Sequence, residues 1–202
     1  MTFEKENYKE IQRNKVLAGA LECFSSKGYV AATINDIVDH SGISKGSIYK
    51  LFKSKEEIYV QLMYQNTDEV LHDIQTILAK YTTYLDKISS LFTEYLSKDL
   101  NSNLLNSFLV QSEFELFSSR REDIMKLLEE RRALKINMIA DVMLEGIENG
   151  EFKKEIDAEL YSELFWSFVD GAVTHKLLFP NYPYDEIIKG QREIFIKKLI
   201  RS

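Results

Sequence analysis

The chain has 202 residues, 45% of them hydrophobic, and a formal net charge of −6, which leaves ample apolar surface for a core in one or two compact units. Met1 to Glu10 is polar and charged, and no run approaches the roughly 18 unbroken apolar residues of a membrane helix, so neither export nor a membrane span is expected. Cys23 is the only cysteine, which excludes an intrachain disulfide or a cysteine-based metal cluster; it reads as a small buried hydrophobe, and the cytoplasm is the expected compartment.

No Gly or Pro stands between Gly46 and Gly146, both prolines lie at 180 and 183, and Leu, Glu, Lys and Ile recur at helical spacing, so the expected class is all-α, with about nine helices. The first helix is expected from about Tyr8 to Lys27, with Leu17, Ala20, Leu21 and Phe24 on its core face and Gly28 as the left-handed residue after its end. Two short helices follow, one opened by Thr33 with Asp36 three residues on, the other by Ser44 over Lys45 to Phe52, and Ser41-Gly42-Ile43 forms the tight turn between them. Ser54 with Glu57 reads as a capping box for a long fourth helix, along which Ile58, Leu62, Val70, Ile74 and Leu78 keep a four-residue stride. Further helices are expected at about 82–97, 102–117 and 120–148, the last opened by Ser119 with Glu122 and closed near Gly150. Asp157 should cap a helix ending near Phe179, and Pro180 to Pro183 turns the chain into a final helix from about Asp185 to Ile200.

A net acidic chain argues against a nucleic-acid partner, because phosphate neutralisation needs a local excess of Lys and Arg. The distribution reverses that reading: residues 1–55 carry nine Lys and Arg against six Asp and Glu, +3, leaving seventeen against twenty-six, −9, for residues 56–202. Two short helices joined by a Gly-containing turn, with a helix before them to pack on, make a unit whose second helix can enter the major groove of DNA. The span Ser44 to Lys55 holds Lys45, Lys50, Lys53 and Lys55 and no acidic residue, while Ile48, Leu51 and Phe52 supply an apolar side.

In Gly28-Tyr29, Thr33-Ile34-Asn35-Asp36-Ile37, Gly42-Ile43-Ser44-Lys45-Gly46-Ser47-Ile48-Tyr49 and Phe52-Lys53-Ser54-Lys55-Glu56-Glu57 the chain resembles the tetracycline-repressor (TetR) family. The resemblance implies a helix-turn-helix at about 33–52 within a DNA-binding domain of residues 1–55, and an effector-binding and dimerisation domain over residues 56–202. On that reading Thr33 and Ser44 cap helices whose N-termini face phosphates, Gly46 lets the backbone approach, and Tyr49 donates to a phosphate oxygen. Ser44, Lys45 and Ser47 would reach base edges, Lys50 base or backbone, and Lys53 belongs to the same cationic face; Lys55 would clamp a phosphate. Val38 and Ser41 stand where the family usually has Ala, and Leu51 where it commonly has His or an aromatic residue, so one polar backbone contact is not carried over.

Along the helix after Asp157, Leu160, Leu164, Phe168 and Ala172 follow one line and Tyr161, Phe165, Val169 and Val173 the next, so it must be covered on two sides. The resemblance implies a homodimer in which this helix and the last pair with their copies, through Tyr161, Phe165, Phe168, Val169, Ile187, Ile188, Ile194 and Phe195; a larger monomer core is the other reading of the same residues. Phe92, Tyr95, Phe108, Phe114, Phe117, Phe165 and Trp166 each read as ordinary core, and the resemblance makes them candidates for a pocket that takes a small apolar or amphipathic effector. Glu113, Glu163, Asp170 and His175 fit polar parts of an effector or plain salt links equally well. No catalytic residue, metal or cofactor is expected: His40, His72 and His175 fall on different helices, and there is no Gly-rich phosphate loop. The expected function is a DNA-binding transcriptional regulator, a repressor on a palindromic operator released by its effector; the alternative is a regulator whose body binds no small molecule and answers to a protein partner or to nothing.

Overall fold

The computed structural model describes residues 2–96 and 102–200, and among these residues the chain is helical with no strand. The helices are α1 (Thr2–Lys27), α2 (Ile34–Ser41), α3 (Lys45–Leu51), α4 (Lys55–Leu78), α5 (Tyr84–Ser90), α6 (Ser102–Ser118), α7 (Glu122–Glu148), α8 (Ala158–Leu178) and α9 (Tyr184–Leu199), and α5 runs on as a π-helical turn over Leu91–Tyr95. Two compact units form, one of Met1–Asn66 with Asn106–Arg121, the other of Thr67–Leu105 with Glu122–Ser202. Both α4 and α6 contribute residues to each unit.

In the first unit Val16, Leu17, Ala20, Cys23 and Phe24 from α1 are buried with Ile37, Ile43, Ile48, Phe52, Ile58 and Tyr59, while Leu21 is only half-buried. The crossing of α1 and α2 depends on Gly19, where a Cβ would stand 2.6 Å from the Ser41 backbone nitrogen, so no side chain fits without parting the helices. Nothing in the sequence pattern singles out this glycine. Arg13 ties α1 to the end of α3: its Nη1 donates to Leu51 O at 2.9 Å and its guanidinium lies 4.4 Å from the Phe52 ring centroid.

Two expected capping boxes change. Ser54 Oγ accepts from Glu57 N at 3.1 Å, but the Glu57 carboxylate reaches one residue further back and accepts from Lys53 N at 2.6 Å. Ser119 does not cap α7; its hydroxyl donates to Leu116 O at 2.9 Å, closing α6, and α7 begins at Glu122. The first helix also starts earlier than expected, at Thr2.

The second unit is built round Ile88, Leu91, Phe92, Ile139, Met143, Phe152, Phe165, Ile188, Phe195 and Leu199, all buried. Three of its buried polar side chains bond across helices: Ser162 Oγ donates to Ile136 O at 2.7 Å, Tyr184 OH to Leu96 O at 2.9 Å, and Arg131 bonds the Thr67 hydroxyl. This core corrects half of the expected dimer set. Phe165, Val169, Ile188 and Phe195 lie inside the protomer at 0%, 6%, 3% and 3% exposure, because the Phe92, Phe165 and Phe195 rings pack together there. The first part of the other line of α8 points outward, with Leu160 and Leu164 exposed and Phe168 half-buried, while Ala172 at its end is buried; Ile194 on α9 is 61% exposed.

Candidate nucleic-acid interface

The helix-turn-helix is set by three local devices. The Thr33 side chain accepts from Asp36 N while the Asp36 carboxylate accepts from Thr33 N at 2.9 Å, a complete capping box. Asp36 is also paired with Lys27, and these bonds hold its carboxyl well below the usual carboxylate range. Gly42 then ends α2 in the left-handed conformation, and Ser44 opens α3, its Oγ accepting from Ser47 N at 3.3 Å and donating to Ser47 Oγ at 2.9 Å.

Burial of Ile48 and Phe52 fixes which side of α3 faces out. Lys45, Gly46, Tyr49 and Lys50 are exposed on the helix, with Ser44 and Lys53 exposed at its ends, and no acidic residue interrupts the segment. A Cβ on Gly46 would meet no atom of the protein. The fold therefore does not demand a bare backbone there, whereas close approach of a phosphate or base would. Tyr49 is 51% exposed.

Lys55 behaves differently from the expectation. Its Nζ donates to the carbonyls of Tyr29 at 2.6 Å, Ala32 at 2.7 Å and Val30 at 3.3 Å, and sits 4.4 Å from the Tyr29 ring centroid. An ammonium has three protons, and in this structure three backbone carbonyls take them. Burial lowers the Lys55 ammonium from its ordinary value.

The expected pocket residues fall into two groups. Phe92 meets Phe165 edge-on at 5.4 Å, Phe165 meets Trp166 at 5.4 Å, and Tyr95 meets Trp166 at 6.3 Å, all in the second unit. The π-helical turn, marked by Leu96 N donating to Leu91 O at 3.0 Å, carries both Phe92 and Tyr95 into this cluster; such turns recur at functional sites. Burial, with Asp73 and Asp170 nearby, raises the Tyr95 phenol, which stays neutral.

Phe114 and Phe117 belong instead to the first unit. Phe114 stacks on Tyr59 at 3.7 Å and meets Tyr29 edge-on at 4.8 Å; Phe117 lies 6.0 Å from Tyr29 and is mostly exposed. Phe108 is half-buried in the same unit. Phe114 and Phe117 thus pack with Tyr29 and Tyr59 in the first unit, apart from the Phe92, Tyr95, Phe165 and Trp166 group. Glu113 and Arg13, which hold that unit together, carry no sequence signal as partners of the residues they touch.

Comparison with known proteins bears on the same two segments. Residues 16–62 match bacterial regulatory proteins of the tetR family, and residues 81–182 match the tetracyclin repressor-like C-terminal domain. The chain belongs to the TetR family. It is 28% identical to the HTH-type transcriptional regulator YfiR of Bacillus subtilis over 206 residues, covering 98% of this chain and 96% of YfiR. The fold is shared with the Bacillus subtilis regulator FadR in complex with stearoyl-CoA (TM-score 0.76, 21% identity, 91% of this chain and 97% of FadR). It is shared also with a Saccharomonospora viridis regulator in complex with choline (TM-score 0.79, 18% identity, 94% of this chain and 98% of that one). This TetR-family protein is a DNA-binding transcriptional regulator and not an enzyme. The family binds operator DNA, typically as dimers. Among the described residues no helix is long and apolar enough to cross a membrane.

Proposed function

We propose that the protein is a cytoplasmic homodimeric repressor, whose head (residues 1–55) occupies a palindromic operator and whose body (residues 56–202) binds a small apolar or amphipathic effector that releases it. The observation that carries this reading is the division of the segment 44–53, with Ile48 and Phe52 buried, Ser44, Lys45, Gly46, Tyr49, Lys50 and Lys53 turned to solvent, and no acidic residue within it. Ser44, Lys45 and Ser47, at the start of the helix, read base edges, and Tyr49, Lys50 and Lys53 engage the backbone. Repression follows the repressor-like body that the chain matches. The Phe92, Tyr95, Phe165 and Trp166 cluster supports an apolar site in the body, and similar folds hold stearoyl-CoA and choline. Selection of random duplex DNA with the purified protein tests the reading: an inverted repeat with half-sites about 34–36 Å apart, or a multiple, is expected. Weak binding without enrichment, fading as salt rises, would refute it.

The dimer uses the outward line of α8 with α9, through Leu160, Leu164, Phe168, Ile187 and Ile194. Ile194→Asp is expected to raise the dimer dissociation constant at least about a hundredfold with helicity unchanged, whereas Phe195→Asp, at a buried position, should unfold the body. Sedimentation and circular dichroism distinguish the two, and a fully dimeric Ile194→Asp would place the interface elsewhere.

A further inference from the structure

Between the end of α1 and the cap of α2, the turn 28–32 is held from two sides by opposite charges. On one side the Glu113 carboxylate of α6 accepts from Tyr29 N at 3.0 Å and lies 3.5 Å from Val30 N; on the other the Lys55 ammonium takes the carbonyls of Tyr29, Val30 and Ala32. Two consecutive residues, Tyr29 and Val30, thus present N–H to an anion and C=O to a cation, and hydrogen bonds to ionised groups are the stronger kind. Gly28 makes room for it: with φ +77° it closes α1, and a Cβ there would stand 2.9 Å and 3.1 Å from the two Glu113 oxygens. Thr33, the cap of α2, follows the turn directly, so its geometry fixes where α2 starts and, through Gly42, where α3 points.

Glu113 does not act from an isolated position. Val110, Phe114 and Phe117 share its face of α6 at helical spacing, and Tyr59 OH donates to Val110 O at 3.3 Å while its ring stacks on Phe114. A slide of α6 by one residue, about 1.5 Å, would lengthen or misalign the bond from Tyr29 N to the carboxylate.

We propose that Glu113 is a positioning residue for DNA binding, holding the 28–32 turn against Lys55 and thereby setting the direction of the reading helix. This rests on α3 being the element that reads DNA. Glu113 itself touches no DNA, and its contribution is carried by the turn.

Two measurements on the full chain test it. Amide exchange of the 24–34 segment should be about ten-fold faster at Tyr29 and Val30 in Glu113→Ala, and Glu113→Gln, which keeps one acceptor oxygen, should restore protection at Tyr29. Affinity for the duplex enriched by the wild-type protein, measured well below the melting temperature, should fall about ten-fold in Glu113→Ala with the salt slope unchanged, because no phosphate contact is lost, and recover in part in Glu113→Gln. Unchanged exchange would show that Glu113 does not hold the turn, and faster exchange with unaltered or tighter DNA binding would remove the positioning role. A changed salt slope would also overturn it, by assigning the effect to phosphate contacts. Failure of the DNA-reading function is seen separately, in the wild-type protein enriching no duplex at all.

Discussion

Tyr59→Ala is expected to destabilise the first unit by about 3–5 kcal/mol, the range for removing a fully buried aromatic side chain and leaving a cavity. Tyr59 is 1% exposed, stacks on Phe114 at 3.7 Å with an 18° interplanar angle, and meets Tyr29 and Phe24 at 5.2 Å and 6.0 Å. The cavity would open between α4, α6 and the end of α1, where backbone collapse is resisted by the Glu113 and Lys55 bonds to the 28–32 turn. Tyr59→Phe removes the hydroxyl that donates to Val110 O and should cost about 1 kcal/mol. Denaturant unfolding followed by circular dichroism separates the two variants. A Tyr59→Ala loss no larger than that of Tyr59→Phe would mean that the stack contributes nothing beyond its hydroxyl.

Replacing Lys45, Lys50 and Lys53 together by Ala should abolish tight operator binding while leaving the melting temperature unchanged, since all three are exposed. Each lysine that neutralises a phosphate adds about 0.9 to the slope of log affinity against log salt, so a dimer losing the backbone contacts of Lys50 and Lys53 would lose up to about four in slope. Lys55→Ala should do the opposite: the slope stays, and the head loses stability, because the Lys55 ammonium is already committed to three backbone carbonyls. Salt titration by fluorescence anisotropy, with thermal melts of the same variants, reads both. If Lys55→Ala lowers the slope of the dimer by about two and the triple variant leaves it unchanged, the cationic face has been assigned to the wrong residues.

Much of this protein was legible without coordinates wherever the physics was local. Thr33, Ser44 and Asp157 cap their helices as their spacing requires, because a cap joins a side chain to a backbone N–H two or three residues on, and nothing distant competes. Where competition existed, locality failed. Glu57 found Lys53 N, and Ser119 turned back to Leu116 O, because each had a second backbone partner within reach of the same short side chain. The π-helical turn at Leu91–Tyr95 could not be read at all, since its one-residue expansion leaves the apolar spacing of a regular helix almost unchanged.

By itself the sequence determined the all-α class, the caps and turn of the helix-turn-helix, and the cationic composition of α3, all of which depend on residues a few positions apart. Only the tertiary structure decided what each helical face meets. Two apolar lines on α8 required two coverings, but it took the packing of Phe92, Phe165 and Phe195 to make one line the protomer core and leave Leu160 and Leu164 outside. An aromatic such as Phe114, or a charge such as Lys55 or Glu113, has the same helical phase whatever it touches. Its partner lies tens of residues away, so its role is set by which backbone the fold brings to it.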